Sequence, residues 1–413
     1  MNRIEGGVTA AKGFQAASAA AGIKYEGRTD MALVYTEKEA VCAGTFTTNV
    51  VKAAPVWWDK ALVAKGQKVH AVVLNSGIAN ACTGEEGKKL NAYMAEAVAE
   101  QLTQKNGNKT IQAEEVLTAS TGVIGMQLAK EPLAKGAALL KEDLSDSLEA
   151  GLRAAEAIMT TDTVSKQAAA SFDVDGVTVT VGGMSKGSGM IHPNMATMLS
   201  VATTDADISK ELLQEMLSEI VSDTFNMISV DRDTSTNDTY LVLANGQSGV
   251  TIEKGTKAYE DFKSALFYVS ESLAKQMAAD GEGCTKLLEV QAIHCKTKED
   301  AKLLSKSVIT SNLVKTAVYG NDANWGRILC ALGYAGVDFN PEIVDITLKA
   351  KKESLVLVKD GVATGYSEEK ATELLAQETV VMICDMKEGE EAATAWGCDL
   401  TYDYVKINGD YRS

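Results

Sequence analysis

The sequence predicts a mixed α/β fold with two layered lobes. Short apolar runs rich in β-branched residues, such as 69–75, alternate with amphipathic stretches, such as 85–104, along most of the chain. The pattern changes near residue 290, where a second series of helices and strands begins. Since no linker, repeat or low-complexity tract separates the two parts, we expect a larger α/β lobe over residues 1–290 and a smaller one over 291–413.

In the larger lobe, apolar runs of five to seven residues predict strands, and apolar residues three or four positions apart predict helices. The runs at 31–35 and 40–46 are interpreted as a strand pair, and Asp175-Gly176 as the turn of a hairpin. Asp207 is the expected N-cap of a helix whose core stripe begins at Leu212. The other predicted strands are 69–75, 197–203 and 240–244, and the other predicted helices are 85–104, 144–158 and 256–279.

In the smaller lobe, the same patterns predict two helices followed by strands. Alternation of apolar and polar residues within 392–407 predicts a final strand. The expected helices are 298–314 and 324–333, and the expected strands are 343–348, 355–358 and 380–384.

Composition excludes several classes of function. The 413 residues carry a net charge of −16, which argues against nucleic acid or an anionic membrane as a partner. None of the seven cysteines is spaced as Cys-x-x-Cys, and the N-terminus lacks the apolar core of a signal peptide, so we expect reduced thiols and a cytoplasmic protein. The three histidines are far apart in sequence, which disfavours a metal site or a Ser-His-Asp triad.

The most informative segment is 182–199, which contains four glycines within eight residues and then Pro193. Lys186 precedes Gly187, so the order of residues in a phosphate-binding loop is absent. A tight loop that ends in Ala196 and Thr197 is a place where a chain could cut itself and expose a threonine. An N-terminal threonine carries a nucleophile and a base on one residue, although an ordinary loop before a strand has the same pattern.

Further small polar clusters lie at predicted strand ends, and each is also compatible with ordinary capping or turn chemistry. Thr121 and Gly122 could donate a hydroxyl and an amide to a developing oxyanion. Glu282, between two glycines, could bind a substrate ammonium group, and Lys186 could meet a substrate carboxylate.

Together these segments resemble the ornithine acetyltransferase family, also described as glutamate N-acetyltransferase. The resemblance runs from the first residues to the last, and the motifs are long and in the expected order. They are GGMSKGSGMIHPNMATML, STGVIG, IMTTDT, SVDRDTSTNDT, DGEGCTK, NDANWGRIL and the terminal YVKINGDYRS.

The resemblance implies a layered α/β sandwich of the ornithine-acetyltransferase type, with a second smaller α/β lobe and a self-cleaving N-terminal nucleophile. It implies cleavage between Ala196 and Thr197, so that an α chain (1–196) and a β chain (197–413) stay associated, typically as α2β2.

The resemblance also implies the site residues. Thr197 is the implied nucleophile, with Thr121 and Gly122 as the oxyanion hole. The implied substrate contacts are Thr160, with Thr161 as the alternative, and Lys186, Thr197, Glu282, Asn408 and Ser413.

The implied reaction moves an acetyl group from N2-acetylornithine to glutamate through acetyl-threonine, in the cyclic pathway of arginine biosynthesis. No cofactor and no metal are implied. Acetyl-CoA as a co-substrate, feedback inhibition and the exact oligomer stay open at this point. Two alternatives also stay open: an amidase or peptidase with an N-terminal threonine, and a non-catalytic small-molecule binding protein with an uncut loop.

Overall fold

The computed structural model describes residues 1–106, 110–192 and 198–410. These residues divide into two compact units, each containing one mixed β-sheet. The predicted α/β class is confirmed. Unit 1 comprises 1–187, 198–225 and 234–274, and unit 2 comprises 188–192, 226–233 and 275–410, within the described ranges.

The strands and helices are numbered separately in chain order. The strands are β1 (Asn2–Ile4), β2 (Phe14–Ala19), β3 (Met31–Phe46), β4 (Val69–Asn75), β5 (Val116–Ser120), β6 (Lys166–Val174), β7 (Val177–Lys186), β8 (Leu199–Thr204), β9 (Ile228–Ser229), β10 (Thr239–Ala244), β11 (Leu287–Cys295), β12 (Asp345–Ala350), β13 (Glu353–Lys359), β14 (Val362–Ala363), β15 (Thr379–Asp385) and β16 (Glu391–Cys398). The helices are α1 (Ala54–Lys65), α2 (Gly84–Asn106), α3 (Lys130–Asp143), α4 (Leu148–Ala157), α5 (Lys210–Asp223), α6 (Lys257–Ala279), α7 (Lys298–Thr310), α8 (Asn312–Tyr319), α9 (Trp325–Gly333), α10 (Glu368–Leu375) and α11 (Tyr402–Gly409).

The sheet of unit 1 runs in the order β1-β6-β7-β8-β10-β3-β4-β5, and β2 pairs with β3. Successive residues of β4 point to opposite faces, because side chains alternate along a strand. Val72 and Leu74 join a buried cluster with Leu199 and Leu241 of β8 and β10. Val73 instead joins a cluster with residues of α2 and α3. The strands therefore lie between apolar layers, as a layered sandwich requires.

The predicted pair of strands at 31–35 and 40–46 is wrong, because β3 is one continuous strand of 16 residues. Its pairing with β4 shifts register between Tyr35 and Ala40. Residues 36–39 are Thr-Glu-Lys-Glu, which lack the glycine, proline or asparagine that a reversal favours. The first half of β3 pairs with β2 and β4, and the second half pairs with β10.

The sheet of unit 2 runs in the order β14-β13-β12-β15-β11-β16-β9. The short strand β9 explains why residues 226–233 belong to this unit, since β9 pairs with β16. The division of the chain therefore differs from the predicted boundary: it changes after Ala274, and residue 290 lies inside β11.

Three predicted elements end or begin elsewhere because of capping. Helix α5 is capped by Ser209, whose hydroxyl accepts the Leu212 N–H, whereas the Asp207 carboxylate accepts the Thr251 hydroxyl. Ser311 divides the predicted 298–314 helix into α7 and α8. The predicted strand at 392–407 ends at Cys398, and Thr401 then caps α11.

The predicted hairpin around Asp175-Gly176 is confirmed by β6 and β7, which pair as far as Val174 and Val177. Strand β7 extends to Lys186, so Gly182 and Gly183 lie in a strand and the predicted glycine loop begins later, at Gly187. In the described part of the chain, no helix combines the length and the apolar character that crossing a bilayer requires.

Candidate functional site

The candidate site in unit 1 begins where the parallel strands β4 and β5 end. Asn75, the last residue of β4, accepts the Ser120 hydroxyl on its Oδ1 at 2.7 Å. Its backbone carbonyl accepts the Thr121 N–H at 2.9 Å. The Asn237 side-chain amide donates to the Ser120 carbonyl at 2.8 Å. These buried bonds fix the backbone that presents Thr121 and Gly122.

Gly122 is required at its position by its backbone conformation and by its surroundings. Its φ is +128°, and a β carbon there would lie 2.2 Å from the carbonyl carbon of Gly77. No described residue accepts a hydrogen bond from the Gly122 N–H. The residue therefore combines close backbone approach with a donor that a ligand oxygen could use.

Lys186, the last residue of β7, lies beside this turn. Its Nζ donates to the Thr121 hydroxyl oxygen at 3.3 Å, and the residue is 8% exposed. Because the ammonium group occupies a lone pair of that oxygen, the Thr121 hydroxyl proton is directed elsewhere. Lys186 and Thr121 are thus brought together, as the resemblance implied, although their roles stay predictions.

A buried carboxylate, Asp162, balances the charge of Lys186. Its Oδ1 accepts the Lys166 ammonium and the Gly187 N–H, both at 2.7 Å, and its Oδ2 accepts the Thr160 N–H at 3.0 Å. Burial acts to raise the pKa of Asp162, but the Lys186 and Lys166 charges and these hydrogen bonds lower the pKa to about 2. Asp162 is therefore ionised at neutral pH.

A second buried carboxyl, Asp238, lies near the same lysine. Burial raises the pKa of Asp238 well above its ordinary range, against the opposing charge of Lys186. Two lysine side chains, Lys166 and Lys186, thus lie near the ionised carboxylate of Asp162. Such a site suits a substrate carboxylate or a developing oxyanion.

The chain leaves this cluster after Gly187 and returns as β8. Lys186 is opposite Leu199 in the antiparallel pairing of β7 with β8. Residues 188–192 lie in unit 2, where the Asp231 carboxylate accepts the N–H groups of Met190 and Ile191 at 2.6 and 2.9 Å. The predicted cleavage residues Ala196 and Thr197 lie outside the described residues, and so does Ser413.

In unit 2, the structure brings together two other predicted site residues, Glu282 and Asn408. The Asn408 side-chain amide donates to the Glu282 Oε2 at 2.7 Å, and the Glu282 N–H donates to the Ser188 carbonyl at 2.9 Å. Glu282 is 6% exposed. A β carbon on Gly189 would lie 2.2 Å from the Glu282 Cδ, so glycine allows this carboxylate its position.

Two features bear on metals and on histidine chemistry. Glu39, His70 and Glu115 each place one ligand-type atom within 4.8 Å of the others. This group lies where β4 begins, whereas Thr121 lies at the opposite end, after β5.

In unit 2, burial and the charges of Lys306 and Arg232 lower the pKa of His192 to about 4, so it is neutral at pH 7. The Ser229 hydroxyl lies 3.0 Å from its Nδ1.

Comparison with known proteins identifies the family. The ArgJ family model matches residues 15–413. The chain belongs to the ArgJ family. The arginine biosynthesis bifunctional protein ArgJ of Caldanaerobacter subterraneus subsp. tengcongensis is 49% identical over 414 residues, with 100% of both chains covered. The glutamate N-acetyltransferase of Methanocaldococcus jannaschii is 48% identical over 423 residues, also with 100% of both chains covered.

A solved ArgJ structure is also similar. One chain of the protein from Bacillus halodurans is 45% identical, covers 50% of this chain and 96% of its own length, and superimposes with a TM-score of 0.48. The predicted family and the predicted acyltransferase enzyme are confirmed. The name of the Caldanaerobacter relative gives arginine biosynthesis as its pathway.

Sequence reasoning missed the acidic residues of this candidate site. Asp162 lies within the quoted motif IMTTDT, and Asp238 within SVDRDTSTNDT, but spacing alone does not tell a buried carboxylate from a turn residue. Lys166, four residues after Asp162, is fully buried and needs an anion, but the sequence alone does not reveal this burial either.

Replacing Asp162 by asparagine tests the buried charge balance. Asp162→Asn leaves Lys166 and Lys186 without their carboxylate, and we expect a loss of about 3–5 kcal/mol in the free energy of unfolding at pH 7. The depressed pKa of Asp162 means that its contribution is complete above pH ~4 and is lost as the pH falls towards 2. The variant should therefore lose less stability than the wild type between pH 4 and 2.

Chemical denaturation at a series of pH values measures both effects. Asp143→Asn is the control, since Asp143 pairs with Arg153 at 3.0 Å while both side chains are 35% exposed. Its loss should stay below about 1 kcal/mol. Equal losses for the two variants would contradict the buried charge balance.

Proposed function

We propose that this chain cuts its own peptide bond between Ala196 and Thr197 and then carries an acetyl group on Thr197 from N2-acetylornithine to glutamate. The observation that carries the proposal is the bond of Lys186 to Thr121 beside the glycine-specific turn at Gly122. Membership of the ArgJ family supports acetyl transfer as the chemistry.

The β7–β8 pairing supports Thr197 as the nucleophile. Lys186 is opposite Leu199, and Thr197 precedes Leu199 by two residues. We therefore propose that the first residue of the β chain acts next to this strand end. The same lysine reaches Thr121. The proposed nucleophile and the proposed oxyanion donors therefore belong to one region of unit 1.

Self-cleavage would precede transfer. The Thr197 hydroxyl oxygen attacks the Ala196 carbonyl carbon, the carbon–nitrogen bond breaks, and the Thr197 nitrogen takes the hydroxyl proton. Water then hydrolyses the resulting ester, which leaves a carboxylate on Ala196 and a free amino group and hydroxyl on Thr197. The new α-amino group has an ordinary pKa of about 7.7–8.0, so it can act as a base near neutral pH.

In the first half-reaction, the Thr197 hydroxyl attacks the acetyl carbonyl of N2-acetylornithine while the α-amino group takes the hydroxyl proton. The negative charge that develops on the carbonyl oxygen is stabilised by the Gly122 N–H and the Thr121 hydroxyl. Breakage of the carbon–nitrogen bond returns the proton to the leaving amine. Ornithine departs, and the acetyl group stays on Thr197 as an ester.

In the second half-reaction, the glutamate amine attacks the acetyl ester, and the Thr197 oxygen leaves with the proton that the amine gives up. Both amino acids carry an α-carboxylate, which suits the ammonium group of Lys186. Thr160 stays a proposed contact beside Asp162. Glu282, Asn408 and Ser413 stay proposed substrate contacts on the β chain. We propose no cofactor, and an α2β2 assembly of the cleaved chains.

Acetyl-CoA is a second proposed donor, since several relatives are named bifunctional. Assays with acetyl-CoA as the sole donor distinguish a transferase that uses it from one that depends on N2-acetylornithine. Release of free acetate instead of N-acetylglutamate would favour the amidase alternative.

The cleavage proposal predicts two fragments on denaturing electrophoresis. N-terminal sequencing of the β fragment should begin Thr-Met-Leu-Ser. Thr197→Ala should stay as one 43.8 kDa chain without activity, whereas Thr197→Ser keeps a hydroxyl and should be cut, more slowly. An active wild-type preparation that contains only intact chain would contradict the proposal.

Thr121→Ala tests the oxyanion role in the mature enzyme. Removing one donor to the transition state is typically worth ~2.7–4 kcal/mol, so we expect kcat to fall about 10²–10³-fold with KM little changed. Thr121→Ser retains the hydroxyl and is the matched control. A large rise in KM at unchanged kcat would instead assign Thr121 to ground-state binding.

Gly189→Ala tests the position of Glu282. The added methyl group would displace the Glu282 carboxylate and weaken its bond to Asn408. We expect KM for N2-acetylornithine to rise roughly tenfold, the size of one charge-assisted hydrogen bond. Gly333→Ala is the control, because a β carbon there meets nothing within 4 Å. Unchanged kinetics in Gly189→Ala would argue against Glu282 as a substrate contact.

A further inference from the structure

Asn237 is a buried asparagine two residues before β10, and both polar atoms of its side-chain amide make hydrogen bonds. Its Nδ2 donates to the Ala79 carbonyl at 2.6 Å and to the Ser120 carbonyl at 2.8 Å. Its Oδ1 accepts the Thr236 hydroxyl at 2.6 Å. An asparagine amide offers two donors and an acceptor, whereas an aspartate carboxylate offers acceptors alone, so these partners together require asparagine.

The bond to Ser120 fixes the peptide unit that enters the turn at Thr121 and Gly122. The Ser120 carbonyl accepts the Asn237 amide, and the Thr121 N–H of the same peptide unit donates to the Asn75 carbonyl at 2.9 Å. Both polar groups of this peptide unit are therefore bonded to other parts of the chain. Because a peptide unit is planar, two such bonds hold its orientation.

The bond to Ala79 reaches the peptide units that leave the turn. The Ala79 N–H donates to the Val123 carbonyl, and the Val123 N–H donates to the Gly77 carbonyl, both at 3.1 Å. Asn237 thus holds the strand end before the turn directly, and the residue after the turn through Ala79. The peptide unit between these fixed ends carries the Gly122 N–H, the proposed oxyanion donor.

We propose that Asn237 is a positioning residue for acetyl transfer, whose amide holds both sides of the turn and thereby aims the Gly122 N–H and the Thr121 hydroxyl at the developing oxyanion. The inference rests on the proposed function and deepens it. Asn237 acts through Ser120 and Ala79 and does not touch the reacting atoms. Donors that are fixed before the reaction stabilise the charge of the transition state without a cost of reorganisation.

Removal of the amide tests this role in steady-state kinetics, with rates expressed per cleaved chain. We expect Asn237→Ala to lower kcat for transfer from N2-acetylornithine to glutamate roughly 10–100-fold, because displaced donors no longer meet the transition state, with KM within about threefold of the wild type. Asn245→Ala is the matched control and should keep the kcat of the wild type. Asn245 is also buried, it follows the other end of β10, and its amide donates to the Lys12 carbonyl at 2.9 Å.

A double-mutant cycle with Thr121→Ala separates positioning from a general loss of structure. Thr121→Ala removes one of the donors that Asn237 orients, so part of the effect of Asn237→Ala is already lost in that background. The fall in kcat of the double variant should therefore be well below the product of the two single falls. Falls that multiply would contradict the positioning role.

Circular dichroism and thermal unfolding of the same samples check the fold. If Asn237→Ala does not fold, Asn237→Asp keeps the shape of the side chain but turns an acceptor towards the two carbonyls, and a folded Asp variant should show the same fall in kcat. Wild-type kcat in either folded variant, with or without a rise in KM, would overturn the role of Asn237. A wild type that transfers no acetyl group would overturn the proposed function itself, which keeps the two failures distinct.

Discussion

The unit 1 site depends on one buried carboxylate, Asp162. Its carboxylate accepts hydrogen bonds from the Lys166 ammonium group at the start of β6, from the Gly187 N–H after β7 and from the Thr160 N–H after α4. Burying two lysines without an anion would be costly, so this carboxylate is what allows Lys186 to lie next to Thr121. The position of the lysine then decides which charge the site can stabilise.

The lysines of the unit 1 site contrast with the net charge of −16 of the protein. Long-range charge repels nucleic acid and anionic surfaces, while the local ammonium groups attract an α-carboxylate or an oxyanion. The polar network of Asn75, Ser120 and Asn237 adds rigidity, since it fixes the turn that offers the Gly122 N–H. Preorganised donors of this kind contribute most to acyl transfer.

Much of the architecture was predictable from local pattern, and the errors have physical causes. Buried runs such as β4 and β10 and the hairpin at Asp175-Gly176 follow directly from periodicity and turn chemistry. The continuous strand β3 and the helix α11 do not follow from these patterns. An irregular strand without turn residues and a helix cap such as Thr401 have only weak signals in the sequence. Lys186 and Thr121 are 65 residues apart in sequence, so only the resemblance suggested that they belong to one site.

The measurement that tests the central claim most directly is acid-quenched mass spectrometry of the cleaved enzyme after mixing with N2-acetylornithine in the absence of glutamate. The account predicts that the fragment beginning at Thr197 gains the mass of one acetyl group, located on its first residue, and that added glutamate removes it. Turnover by an enzyme whose β fragment is never acetylated, or is acetylated at another residue, would contradict the account.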